Sequence, residues 1–173
     1  MKLLSTIYRD KNVNSEGKTF LREAVRGIIL REKKLLMIYS TVKGDYKFPG
    51  GGIDLGESHH EALRREISEE GGAEMRLVTG KFGQIIEYAH AIEDSFDTYK
   101  QNSYYYFCEI NGDFGALNLE DYEEELGFLP KWVSVETALR RNKEVLANPN
   151  PAPRWTKREV FILEHILSRK PFT

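Results

Sequence analysis

The chain has one cysteine, no long apolar run and almost no net charge, and each shortage excludes something. A single thiol, Cys108, rules out an internal disulfide. It lies among aromatic residues and reads as a buried, inert thiol. No segment reaches the roughly 20 apolar residues that a membrane-spanning helix needs. The opening Met1–Ile7 is too short for a secretory leader, and Arg9-Asp10-Lys11 interrupts it. A cytoplasmic protein is therefore expected, with no membrane partner. A net charge of −2 gives no general attraction to nucleic acid or to an anionic membrane. Internal repeats and low-complexity tracts are missing as well. What remains is a 173-residue chain, 40% apolar and 30% charged, which suits one globular domain over residues 1–173.

The strand signals are plain. Ala24 to Leu30 and Leu35 to Ser40 are rich in Ile, Leu and Val, and the charged residues 31–34 between them predict a hairpin connection. Tyr46 to Phe48 leads into a glycine-rich loop. Arg76 to Val78, Gln84 to Tyr88, Asn102 to Ile110 and the pair Trp132-Val133 read as further strands. Ser134 is placed to cap a short helix through about Arg141, and the proline-rich residues 148–153 break regular structure. A last helix is expected from about Lys157 to Ser168. Thr156 and Glu159 suggest a capping box, Trp155 a staple onto Val160, and Val160, Leu163 and Leu167 a core stripe.

The most informative stretch is residues 51–73, GGIDLGESHHEALRREISEEGGA. Ser58 and Glu61 form an S-x-x-E capping box, so a helix should start at His59. Gly71 and Gly72 supply a left-handed stop. On that helix Glu66, Glu69 and Glu70 stand at i, i+3 and i+4 and share one face. Leu63 and Ile67 border the face, so three repelling carboxylates sit beside an apolar stripe and need a cation. Oxygen-only donors of high charge suit Mg²⁺ or Mn²⁺ rather than zinc. Upstream, Phe48-Pro49-Gly50-Gly51-Gly52 is poor in side chains and lets backbone approach a ligand closely. Glu-rich helices are ordinarily solvated faces. The fixed upstream Glu57 and the glycines at both ends argue against that here.

This stretch resembles the Nudix box, G-x5-E-x7-R-E-U-x-E-E-x-G-U with U aliphatic. Gly51 matches the first glycine, Glu57 the first glutamate, and Arg65-Glu66 the Arg-Glu pair. Ile67 matches the first U, Glu69-Glu70 the Glu-Glu pair, and Gly72 the last glycine. Ala73 fills the final U, where a larger aliphatic is commoner. The resemblance implies an α/β/α sandwich with a mixed β-sheet between helices. It implies a metal-dependent pyrophosphohydrolase that cleaves a phosphoanhydride bond in a nucleoside diphosphate linked to another group. The substrate stays open between nucleoside triphosphates, oxidised nucleotides, and ADP-ribose or other nucleoside diphosphate sugars. A nucleotide-sensing regulator without catalysis, or an isomerase on the same scaffold, is the alternative. A homodimer is left open.

By the same resemblance Glu66, Glu69 and Glu70 are metal ligands, joined by a carbonyl at Gly50 or Gly51, with Glu57 a further ligand or outer partner. Arg65 pairs with Glu57 or a neighbour and orients a carboxylate. The general base is either a box glutamate such as Glu57 or a member of the late acidic run Glu120, Asp121, Glu123, Glu124 and Glu125, with Glu124 as its representative. That run reads as an exposed loop contributing little burial. Substrate contacts are expected at Phe48, Gly50, Gly52 and Arg26, although strand aromatics are more often core. Arg154, Lys157 and Arg158 are further cations that can hold terminal or ribose phosphates, or simply face solvent. His59 and His60 are read as exposed.

Overall fold

Apolar neighbours on a strand point to opposite faces, so a strand apolar at consecutive positions must be covered on both sides. The computed structural model, which describes residues 1–112 and 114–169, shows that double covering. Its elements in chain order are β1 Leu3–Tyr8, β2 Thr19–Arg31, β3 Lys34–Ser40, β4 Tyr46–Lys47, α1 His59–Gly71, β5 Glu74–His90, β6 Thr98–Asn111, α2 Asp121–Glu125, β7 Phe128–Ser134, α3 Val135–Ala147 and α4 Thr156–Ser168. The sheet runs β1-β5-β6-β2-β3-β4, with β7 also on β3. It is mixed: β1 lies parallel to β5 and β2 to β6, and the other pairings are antiparallel. Val25, Ile29, Leu36, Tyr106 and Cys108 face the α1 side, against Leu63 and Ile67. Their neighbours Ile28, Leu35, Met37 and Tyr105 face the other side, against Ile162, Leu163 and Ile166 of α4. Burial pushes the Cys108 thiol up to about 12, which leaves it inert.

Several elements differ from the sequence reading. The hairpin is present, with Leu30 opposite Leu35, but β2 starts well before Ala24. The two strands expected at 76–78 and 84–88 are one long β5, kept continuous across three register shifts. β1, an edge strand, was not expected. α4 has no capping box: Trp155 is its N-cap without a side-chain capping bond, and the Trp155 indole N–H and the Thr156 hydroxyl both donate to Asp45. Its buried stripe is Ile162, Leu163 and Ile166, continued by Arg158 and Glu159. No helix of the described residues is long and apolar enough to cross a membrane.

Those two charged residues explain the missing box. Arg158 is 1% exposed and sits inside the sandwich, not on the surface. Its Nη1 donates to Glu87 at 2.7 Å, its Nη2 to Glu159 at 2.7 Å and its Nε to the Tyr105 hydroxyl at 2.9 Å. Arg9 donates to the other oxygen of Glu87 at 2.9 Å. Glu159 also accepts the Phe48 N–H at 3.2 Å, so α4 is fastened to the strand that opens the glycine loop. Burial works to raise the Glu87 pKa, but Arg158 and Arg9 outweigh it and hold the carboxyl below its usual range. A lowered folded pKa stabilises above the unfolded value of 4.5, and the stability is lost as pH falls through the folded value. Glu87→Gln should cost about 3–5 kcal/mol at neutral pH, the cost of breaking a buried pair. It should also flatten the stability loss below pH 4.5. Urea melts of both proteins at several pH values check this.

Candidate active site

The glycine loop is zipped onto β2. Val25 N–H donates to the Gly51 carbonyl at 3.0 Å, Gly27 N–H to Pro49 at 2.9 Å and Ile53 N–H to Glu23 at 3.0 Å. This leaves no space for side chains. Gly50 has φ 139°, and a Cβ built on it would strike the Val25 carbonyl. A Cβ on Gly51 would strike the Glu66 carboxylate. The loop is therefore pressed between β2 and α1, which it could not be with larger residues.

α1 begins as its sequence implies. Ser58 and Glu61 make the reciprocal capping box, and Gly72 closes the helix in the left-handed region at φ 59°. Its carboxylates do not act as one group. Arg65 gathers three: Nε and Nη2 grip Glu57 at 3.0 and 2.9 Å, and Nη1 reaches Glu66 at 2.8 Å and Glu69 at 3.2 Å. Nη2 also donates to the Gly52 carbonyl at 2.9 Å, which ties the helix to the loop. The hydrogen bonds from Arg65 hold Glu57 below the usual carboxylate range, while burial raises Glu66. Glu70 turns inward instead. It is 1% exposed, takes the Lys47 ammonium at 2.5 Å and accepts the Gly50 N–H at 3.0 Å.

Glu123 reaches the same buried place, 3.7 Å from Lys47. Burial raises the Glu70 pKa; burial also works to raise Glu123, but a hydrogen bond from Glu70 and the charge of Lys47 bring it below its usual value. The two carboxyls thus shift in opposite directions beside one ammonium. The acidic run is accordingly not an open loop: α2 starts there, with Glu123 at its N3 position bonding back to Glu120. Glu124, the representative chosen from the sequence, is exposed, and its neighbour Glu123 is the buried member.

Two hollows flank the Gly50–Gly52 loop. One is an acidic groove of about 540 Å³, lined by Asp54, Arg65, Glu66, Glu69 and Glu120 together with Gly52. The other is a cavity of about 430 Å³ lined by Arg22, Arg26, Lys47, Gly50, Gly51 and Trp155 among others. Phe20, Arg22 and Glu120 line both, so the hollows are continuous. Phe48 is not among the lining residues. It is fully buried, edge-on to Tyr105 at 5.8 Å, and belongs to the core. His59 is half-buried and bonds the Tyr106 hydroxyl at 2.8 Å. Lys47 and Arg22 were missed as site residues, and Glu123 was named only as one member of the acidic run. A lysine between Tyr46 and Phe48 in an apolar strand was the one available signal.

Among the described residues no three His, Cys, Asp or Glu side chains stand as a ready-made metal cage. Arg65 and Lys47 hold the carboxylates in its place. The donor set still fits a hard divalent cation. Glu66 and Glu69 face the groove with Glu57 adjoining, all donors are oxygens, and Gly51 is kept bare where a Cβ would fill the space at Glu66. Glu70 does not share that groove, and the Gly51 carbonyl already accepts from Val25.

A mixed sheet between helices, with an acidic helix face set against a glycine loop, defines an α/β/α fold that carries an acidic groove beside a cationic cavity. The chain belongs to the NUDIX domain family, whose model matches residues 20–155. Members of this family generally use divalent metal ions. Over 49 residues the chain is 43% identical to an RNA pyrophosphohydrolase from a Nitratiruptor species, covering 28% of this chain and 32% of that one. Over 52 residues it is 44% identical to an ADP-ribose pyrophosphatase from Methanocaldococcus jannaschii, covering 28% and 31%. The chain thus spans about a third of the length of these two relatives. A NUDIX hydrolase from Nitrosomonas europaea shares the fold at a TM-score of 0.57 and 18% identity, over 88% of this chain and 93% of that one. The E. coli ORF135 protein does so at 0.54 and 22%, over 87% and 91%.

The buried and exposed members of the acidic run should behave differently. Glu123→Gln removes a charge that faces Lys47 and should cost about 1–3 kcal/mol. Glu124→Gln, on the surface, should stay within about 0.5 kcal/mol. Thermal melts at neutral pH compare them directly.

Proposed function

We propose that residues 1–173 form one domain that hydrolyses a phosphoanhydride bond in a nucleoside diphosphate linked to another group, with Mg²⁺ or Mn²⁺. The observation that carries this reading is the pairing of an acidic groove with a cationic, aromatic-walled cavity across one bare glycine loop. A diphosphate lying over Gly50–Gly52 has metal-binding carboxylates on one side and guanidinium groups on the other. Glu66 and Glu69, with Glu57 beside them, would hold the cation, which when bound neutralises phosphate charge and makes water a better nucleophile.

The chain's own groups do the rest. Arg65 grips Glu57 with two bonds and fixes the direction of the carboxylates beside it. Glu70 holds the Gly50 N–H and Lys47, and so keeps the loop backbone in place rather than contacting the diphosphate. Glu120 lines both hollows, which supports it among the late carboxylates as the acceptor of a proton from attacking water. Glu57 is the competing acceptor within the box. Phosphoryl transfer asks mainly for positioning and charge stabilisation, which is what these groups supply.

Chromatographic detection of the nucleoside monophosphate and its co-product, across a panel of nucleoside triphosphates, ADP-ribose and nucleoside diphosphate sugars, tests the reading. EDTA should abolish turnover, and Mg²⁺ or Mn²⁺ should restore it. Glu66→Gln and Glu69→Gln should each lower kcat by roughly 10²-fold or more. Full turnover in metal-free buffer contradicts the mechanism. Tight nucleotide binding without cleavage of any compound would favour a sensing module instead.

A further inference from the structure

Six cationic side chains line the 430 Å³ cavity, and they fall into two groups. Three are neutralised from behind. Arg9 is paired with Glu87 at 2.9 Å, Arg158 with Glu87 and Glu159 at 2.7 Å each, and Lys47 with Glu70 at 2.5 Å. The other three have no carboxylate partner among the described residues. Arg22 donates once, to the neutral amide oxygen of Gln101 at 3.1 Å. Arg26 donates once, to the carbonyl of its neighbour Val25 at 3.2 Å. Arg154 is exposed at the mouth and bonds nothing among the described residues.

Arg26 is the sharpest of these. It is 5% exposed, and its Nε is buried with no hydrogen-bond partner among the described residues. Burying a guanidinium is costly unless an anion meets it, and a buried donor left unpaired adds to the cost. Glu66 feels the charge of Arg26 across Gly51 but makes no ion pair with it. Two further carboxylates, Glu93 and Glu120, line the cavity, and neither pairs with these guanidiniums. Phe20 and Tyr99, stacked at 6.1 Å, give the cavity an apolar wall. A neutral sugar in this space would leave three guanidiniums uncompensated. Lys157, expected as a possible phosphate contact, is exposed and does not line the cavity.

We propose that this cavity binds a phosphoryl group of the substrate beyond the two that flank the scissile bond, held by Arg22, Arg26 and Arg154. The proposal rests on the hydrolase reading above for what lies over the glycine loop. The extra phosphoryl group has two sources: the end of a nucleoside polyphosphate chain, or a phosphate monoester on the sugar of a dinucleotide-like compound. Both offer a compact dianion to planar guanidinium donors, which match phosphate geometry.

The test has a binding arm and a turnover arm. In EDTA buffer, calorimetric titration with inorganic triphosphate isolates the cationic cavity from metal. Arg154→Ala and Arg22→Ala should each weaken that binding roughly tenfold, the loss of one charge-assisted contact. Arg154→Lys should recover part of it. Arg26 is avoided because its burial couples it to folding. In the turnover arm, kcat/KM is compared for ATP, ADP-ribose and ADP-ribose 2′-phosphate. The intact protein should favour a phosphate-bearing compound over ADP-ribose by roughly tenfold or more, and the two alanine variants should shrink that ratio. Preference for ATP identifies the polyphosphate source, and preference for the 2′-phosphate identifies the monoester. Equal use of all three, with triphosphate binding indifferent to both alanine variants, overturns the proposal and leaves the hydrolase reading standing. Arginine-dependent triphosphate binding without cleavage of any compound leaves the cavity assignment standing and removes the hydrolase.

Discussion

The Glu70 carboxylate is the tie on which the site depends. One oxygen holds the Lys47 ammonium at 2.5 Å and the other the Gly50 N–H at 3.0 Å. Through it α1, β4 and the glycine loop are tied together. The loop in turn is bonded along β2, so its backbone is held from both sides. Buried ion pairs are weak contributors to stability in themselves, but removing one partner is severe. Here the pair is better understood as a device for position. It holds a bare backbone ridge between a row of carboxylates and a row of guanidiniums.

That separation of charge follows from which partners each side chain finds. Arg65 takes Glu66 and Glu69, which face the groove, and Glu57 beside them, and Lys47 takes Glu70, which faces inward. Behind the cavity, Glu87 and Glu159 neutralise Arg9 and Arg158, so these two cations act as walls. The guanidiniums without carboxylate partners are left facing the space itself. A charge balance of nearly zero over the whole chain thus conceals two hollows of opposite sign a glycine apart.

The parts legible in the sequence were those written in local signals. The capping box of α1, the left-handed stop at Gly72 and the β2–β3 hairpin each depend on a few neighbouring residues. The bare loop followed from its glycines, and the mixed sheet between helices from the family resemblance. What was missed depends on distant partners. Thr156 and Glu159 have the spacing of a capping box, but Asp45 claims the threonine and Arg158 the glutamate. In the run 120–125 every residue but Tyr122 is acidic, so composition could not say which one faces inward. One short helical turn selects Glu123. Phe48 was a candidate for stacking because an aromatic beside a glycine loop is ambiguous until the T-shaped contact with Tyr105 is seen. β1 carries an exposed face and pairs in parallel with a strand far along the chain, so no turn announced it.

The central claim is that Glu66 and Glu69 gather a divalent cation while the buried Glu70 serves the fold. Titration of Mn²⁺ followed by electron paramagnetic resonance measures it without reference to any substrate. The account predicts that Glu66→Gln and Glu69→Gln each weaken Mn²⁺ binding by more than the roughly 10–100-fold typical of losing an outer partner. It predicts that Glu70→Gln acts first on thermal stability and the order of the loop. Mn²⁺ binding that survives both groove substitutions unchanged would contradict it.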